Sequence, residues 1–161
     1  MRGYFAIGAE GISKPMNLGA LMRTANAFGA SFVFTVEAEQ NLKLAYKADT
    51  SKTFGHLPWY AWESVGEMNL PKGCQVVGVE LTDDAVDLPT FRHPQAAAYV
   101  LGPERGSLSP EMTALCDHVV KIPTKFCINV SLAGALVMYD RHLSMGSHAP
   151  RPIMPGGPKS E

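Results

Sequence analysis

Three short stretches of this chain carry polar side chains where packing alone does not call for them. The first, "MNLGALMRTANAFGA" (16–30), holds Asn17 and Arg23. An arginine keeps its charge at any working pH and presents a planar fork of donors, which suits an anion such as phosphate. The second, "LGPERGSLS" (101–109), sets Glu104 in a turn bounded by glycines. The third, "IPTKFCINVSLAG" (122–134), places Asn129 and Ser131 where a strand gives way to a helix. Taken singly, each has an ordinary explanation. Arg23 lies off its helix's apolar stripe and can be a solvated charge, Glu104 can be a turn acid, and Asn129 and Ser131 can be caps. Caps and turns do not explain why three such loops share one small domain. Loops beyond the carboxyl ends of strands are where α/β sheets bind ligands.

The elements that must position these residues alternate as in an α/β domain. "YFAIGA" (4–9), "SFVFTV" (31–36), "CQVVGVEL" (74–81), "AAAYVLG" (96–102) and "HVVKIP" (118–123) read as strands. Asn17 reads as the N-cap of a helix whose stripe is Leu18, Leu21, Met22, Ala25 and Phe28, stopped by Gly29. Ser109-Pro110-Glu111 marks a second helix start. Residues 129–143 form a helix apolar around most of its circumference, which belongs inside the domain or against another subunit. A short helix is expected over 39–46, followed by the polar stretch 47–59; Trp59 at its end and Trp62 just beyond it read as packing residues rather than base-stacking ones. Residues 1–145 therefore read as one domain, and the Pro/Gly-rich residues 146–161 as a mobile tail.

Composition removes several classes of function. With 46% hydrophobic and 18% charged residues over 161 positions, the chain falls among soluble globular proteins. No apolar run approaches the ~20 residues that span a bilayer, and "MRGYFAIGAEG" is too short and glycine-broken for a signal peptide. A cytoplasmic protein with no membrane partner is expected. Cys74, Cys116 and Cys127 lack the paired spacing of a zinc site, so reduced thiols and no metal are expected. The net charge of −1 announces no nucleic-acid binder. The acidic surplus sits in residues 61–100, which leaves the two ends of the chain for any polyanion. "GAEG" (8–11) raises an ordinary nucleotide-binding domain as a rival, but an Asn-capped helix follows it and no phosphate-cradling fingerprint does.

"NLGALMRTANAFGA", "LGPERGSLS" and "IPTKFCINVSLAGALVMYD" resemble, in order, the three motifs of the SpoU (TrmH-like) branch of the SPOUT RNA methyltransferases. The resemblance covers residues 4–143, and "TSKTFGHLP" (50–58) is similar to the polar segment between the first two motifs. It implies a mostly parallel α/β sheet flanked by helices, with a trefoil knot near the C-terminus, working as a homodimer. It further implies S-adenosyl-L-methionine (AdoMet) as methyl donor and a ribose 2′-hydroxyl of RNA as acceptor. The small single-domain members that act on the tRNA wobble ribose are the nearest type. Ribosomal RNA as substrate and a non-catalytic knotted RNA-binding dimer are the alternatives.

By the same resemblance Arg23, Asn17, Glu104 and Asn129 form the catalytic set. Leu81, Gly102, Ile122, Cys127, Ile128 and Ser131 would surround AdoMet. Lys14, Lys47, Lys52, His56 and Arg105 would join Arg23 in meeting RNA, whose binding rests largely on phosphate neutralisation. Arg141 is a further basic candidate. Two positions depart from the family pattern. Cys127 replaces a serine with a poor hydrogen-bond donor, and Ser107 stands where glycine is usual.

Overall fold

The structure, a computed structural model, describes residues 3–42 and 57–158. Seven strands form one sheet in the order β3-β2-β1-β6-β4-β7-β5. They are β1 (Tyr4–Glu10), β2 (Phe32–Val36), β3 (Trp59–Trp62), β4 (Gln75–Val79), β5 (Val86–Asp87), β6 (Ala96–Leu101) and β7 (His118–Lys121). Every pairing is parallel. The central strands β1, β2 and β6 are buried almost throughout, as a sheet covered on both faces requires. Alternate residues then serve opposite cores. Ile7, Val33, Val77, Tyr99 and Leu101 pack beneath helices α1 (Pro15–Phe28) and α3 (Val130–Met145). Ala6, Phe34, Val36, Ala98 and Val100 pack with Leu108 and with Met112 of α2 (Pro110–Leu115).

Registration decides where the site lies. Ala9 of β1 and Val79 of β4 both pair with Leu101 of β6, so these three neighbouring strands end level with one another. The loops after them, which begin at Gly11, Glu80 and Gly102, meet over one edge of the sheet.

Several expectations hold in detail. Ser109 caps α2 by accepting from the Met112 N–H, Asn129 caps α3, and α1 stops at Gly29. Others are corrected. Helix α1 starts at Pro15, because proline is preorganised for the first helical position. Lys14 is its N-cap residue without a side-chain bond, and Asn17 lies within the first turn, which frees its side chain. The expected polar stretch ends in strand β3. Trp59 there donates from Nε1 to Thr35 Oγ1, and Trp62 leans on Phe34, so both tryptophans serve packing. Of the helix expected over 39–46, residues 40–42 are helical and the remainder lies outside the described residues. Helix α3 is apolar on two faces, as expected: one meets the core while Leu132, Leu136, Tyr139 and Leu143 stay exposed on the other. Residues 146–158 form no helix or strand and are exposed.

Away from the site, a buried polar chain locks α3 to the sheet. Arg141, 5% exposed, donates to the carbonyls of Pro94 (2.7 Å) and Gln95 (2.9 Å) and to Tyr99 Oη (2.9 Å). Tyr99 Oη meets His93 Nδ1 at 2.7 Å, and His93 Nε2 meets Asp140 at 2.7 Å. Arginine only donates and an ionised carboxylate only accepts, so the direction is fixed. Burial, offset in part by Arg141, pushes the Tyr99 phenol up to about 12. It therefore keeps its proton and donates to Nδ1, which leaves His93 neutral with Nε2–H donating to Asp140.

Burial lowers the His93 pKa from 6.5, against the opposing pull of Asp140 and with the Arg141 charge adding to the fall. The unfolded chain takes up this proton near 6.5 while the folded chain resists it, so folding stability falls as pH drops below that value. Chemical-denaturation curves between pH 7.5 and 5 are expected to show this loss, and to show less of it in His93→Gln.

Candidate functional site

The level strand ends enclose a cavity of about 420 Å³, a size suited to a small organic ligand. Its lining mixes the apolar Leu81, Leu101, Ile122, Ile128 and Val130 with the polar Lys14, Asn17, Glu104 and Asn129. The three stretches that stood out in the sequence therefore converge on one space.

A single run of hydrogen bonds joins them. Glu104 accepts from the Ser13 N–H (3.1 Å to Oε2), the Ser13 hydroxyl (3.2 Å), the Lys14 N–H (3.0 Å) and Asn17 Nδ2 (3.2 Å). Asn17 Oδ1 accepts from Asn129 Nδ2 at 3.0 Å. Asn129 Oδ1 in turn accepts from the Ser131 N–H at 2.9 Å and the Leu132 N–H at 3.4 Å, which caps α3. Each amide donates one way and accepts the other, so the run has one direction from α3 to the carboxylate. Partial burial alone raises the Glu104 pKa. The N–H groups of Lys14 and Ser13 and the Asn17 amide outweigh it and hold this carboxyl below its ordinary range.

The same contacts decide against a phosphate cradle after "GAEG". The amides of Ser13 and Lys14, which open α1, are already filled by Glu104. An anion-binding helix start would need them free.

Two further carboxylates shape the cavity and were not among the expected site residues. Glu10, 4% exposed, accepts from the Ser109 N–H at 2.7 Å and the Ser109 hydroxyl at 2.6 Å. Glu80 accepts from the Leu108 N–H at 3.0 Å and lines the cavity. Both acids close strands of otherwise apolar residues. That interruption was the available signal, and nothing in the sequence showed which loop each would hold. With Glu104 at its near end and these two at its far end, the 102–109 loop is fixed along its length.

The expected site residues divide clearly. Leu81, Gly102, Ile122, Cys127 and Ile128 line the cavity, as do Lys14, Asn17, Glu104 and Asn129. Ser131 does not; its N–H and hydroxyl both turn to Asn129 Oδ1. Arg23 is exposed on α1 and is absent from the cavity wall of its own chain. Arg105 is exposed in the turn after Glu104. Arg141 belongs to the buried chain beneath α3. Lys47, Lys52 and His56 lie outside the described residues.

The two departures have small structural consequences. The left-handed backbone position in the turn is Gly106 (φ 100°), so Ser107 takes its place without strain. Cys127 lies exposed in a short loop that Thr124 holds by donating to the Phe126 carbonyl at 2.8 Å. Among the described residues, no three His, Cys, Asp or Glu side chains gather as metal ligands, and no helix is long and apolar enough to cross a membrane.

Comparison with known proteins fits this geometry. The sequence profile of the SpoU rRNA Methylase family matches residues 4–139. The chain is 30% identical over 147 residues to the tRNA (guanosine(18)-2′-O)-methyltransferase TARBP1 of Mus musculus, covering 80% of this chain and 9% of that protein. It is 28% identical over 136 residues to the tRNA (guanosine(18)-2′-O)-methyltransferase of Escherichia coli K12, covering 81% of this chain and 59% of the relative. The chain thus spans less than two thirds of these relatives' length. The fold matches that of AdoMet-bound rRNA methyltransferase from Sinorhizobium meliloti, with a TM-score of 0.78 at 22% identity over 91% of this chain and 59% of that one. It also matches a structure concerning the 2-OH methylation of C/U34 on tRNA, with a TM-score of 0.74 at 20% identity over 92% of this chain and 100% of that one. Three motifs converging on one cavity, in this sheet and under this profile, leave one assignment: the chain belongs to the SpoU rRNA methylase family.

Proposed function

We propose that this chain is an AdoMet-dependent methyltransferase acting on a ribose 2′-hydroxyl of RNA, with tRNA ahead of ribosomal RNA as substrate. The observation that carries the reading is the Asn129–Asn17–Glu104 run, which ties all three motif loops around one cavity. The tRNA preference follows the curated relatives, both tRNA (guanosine(18)-2′-O)-methyltransferases. The full-length match to the C/U34 structure favours the wobble ribose.

The cavity suits AdoMet in size and in chemistry. Leu81, Ile122 and Ile128 would hold its apolar parts, with Gly102 and Cys127 beside them. When bound, AdoMet supplies an electrophilic methyl group on a sulfonium. Asn17, Glu104 and Asn129 act as positioning residues that keep the loops at fixed separation. A guanidinium is a permanent cation with a planar fork of donors, so the role of Arg23 is to neutralise a phosphate and orient the ribose beside it. Lys14 of the cavity lining and the exposed Arg105 extend that anion-binding surface.

The same reading includes a homodimer. Leu132, Leu136, Tyr139 and Leu143 recur at intervals of four, three and four along the exposed face of α3, and Phe28 of α1 borders them through Tyr139. Such a stripe is the packing seam of a helix pair. It would also bring the exposed Arg23 of one subunit toward the other subunit's cavity. The reading further includes a trefoil knot. The family resemblance implies it, and the matching fold of the solved relatives is consistent with it. A cytoplasmic setting fits three free cysteines. Residues 1–145 make up the catalytic unit and 146–161 its tail.

Mass-spectrometric nucleoside mapping of tRNA from a strain lacking the gene is expected to show loss of one 2′-O-methyl mark; an unchanged map in both tRNA and ribosomal RNA overturns the reading. Arg23→Ala is expected to lower methylation about a hundredfold with AdoMet affinity intact. Mixing it with Ile128→Asp, which charges the cavity wall, restores activity if the two subunits share the site, and no recovery places the whole site in one chain. Glu104→Gln turns an amide donor toward N–H groups and is expected to cost about 1–2 kcal/mol of stability with weaker AdoMet binding by calorimetry. Its wild-type stabilisation is present at neutral pH and fades as pH falls through the depressed carboxylate range, an acid limb the variant lacks. Leu136→Glu is expected to sediment as a monomer.

A further inference from the structure

Glu80 is the cavity acid whose charge the protein itself leaves least answered. Its carboxylate accepts one hydrogen bond, from the Leu108 N–H, and among the described residues no cation pairs with it. Glu104, the other acid of the wall, accepts from four donors. Lys14, the lining base, is exposed beside Glu104. Glu80 is half-buried and follows Val79 and precedes Leu81, both of which also line the cavity. Its backbone cannot drift, since its N–H donates to the Val120 carbonyl (2.9 Å) and its carbonyl accepts from Thr82 N–H (3.1 Å). A carboxylate with an unused acceptor oxygen therefore borders the ligand space, flanked in the lining by Val79 and Leu81.

We infer that Glu80 makes the cavity selective for a cationic methyl donor over its neutral product. The inference rests on the AdoMet reading above. AdoMet and S-adenosylhomocysteine share every group except the methyl and the positive charge on sulfur. Apolar walls bind the two alike, and a carboxylate in a weakly screened cavity does not, because attraction to the sulfonium is lost once the sulfur is neutral. Such a site takes up donor in preference to spent product and lets the product go after transfer. Glu80 is thus a specificity-determining residue acting through charge, and it also anchors the 102–109 loop through Leu108.

Glu80→Gln tests the charge alone, since the amide oxygen still accepts from Leu108 N–H. Titration calorimetry of the full-length protein uses three probes: AdoMet, S-adenosylhomocysteine, and an analogue with a primary ammonium in place of the sulfonium. The variant is expected to lose about tenfold in affinity for the two cationic ligands and less than twofold for the neutral one. Glu80→Asp, which keeps the charge, is expected to retain the wild-type preference, and Glu80→Ser takes the place of Glu80→Gln as the uncharged variant, with the same selective loss expected, if the latter fails to fold. Equal losses for all three ligands, or none, overturn this inference and leave the donor site standing. Failure of every ligand to bind the wild-type protein overturns both.

Discussion

Two asparagine amides and one carboxylate hold this domain's business end together. Asn129 spans from the first turn of α3 to Asn17, and Asn17 spans from there to Glu104. Each link joins segments roughly ninety or more residues apart, so none is a local capping interaction. The run works because its members differ in hydrogen-bonding character. An amide has a donor end and an acceptor end, which lets it relay, while a carboxylate only accepts and terminates the run. Asp at either asparagine position would set acceptor against acceptor.

The sheet makes that relay reachable. Parallel pairing with β1, β4 and β6 ending level brings three loops to one edge, and acids at or just beyond those ends then fasten them. Glu10 holds Ser109, Glu80 holds Leu108 and Glu104 holds Ser13 and Lys14. Each acid grips backbone N–H groups of another loop and not its own. The cavity's shape is therefore a property of the sheet's registration, conveyed through charge-assisted bonds.

Much of this was legible beforehand. Apolar runs gave five of the seven strands, and Ser109 and Asn129 declared their helices because capping is a local interaction that local sequence encodes. Strand β3 was missed because Trp59–Trp62 pairs only on one side and follows a polar stretch. Asn17 was misread as a cap for the opposite reason. Its partners, Glu104 and Asn129, are remote in sequence, and a short polar side chain near a helix start looks the same whether it turns back or reaches across. Glu10 and Glu80 drew no reading at all, since their partners Ser109 and Leu108 are equally remote in the chain. Arg23 was found by motif, and its exposure on α1 follows from the helical turn that also places Leu21 and Met22 in the core.

The two polar networks also differ in what surrounds them. Arg141, Tyr99 and His93 sit within the core, whereas the relay at the cavity borders exposed or half-buried backbone. Segments stitched by solvent-bordered hydrogen bonds open at lower free energy than a close-packed interior. Amide-exchange protection should accordingly be graded from the sheet to the cavity rim, deepest around Tyr99 and shallowest at Ser13 and Ser131. Opening that rim would cost less free energy than opening the interior, so the loops around the cavity can part while the sheet stays folded.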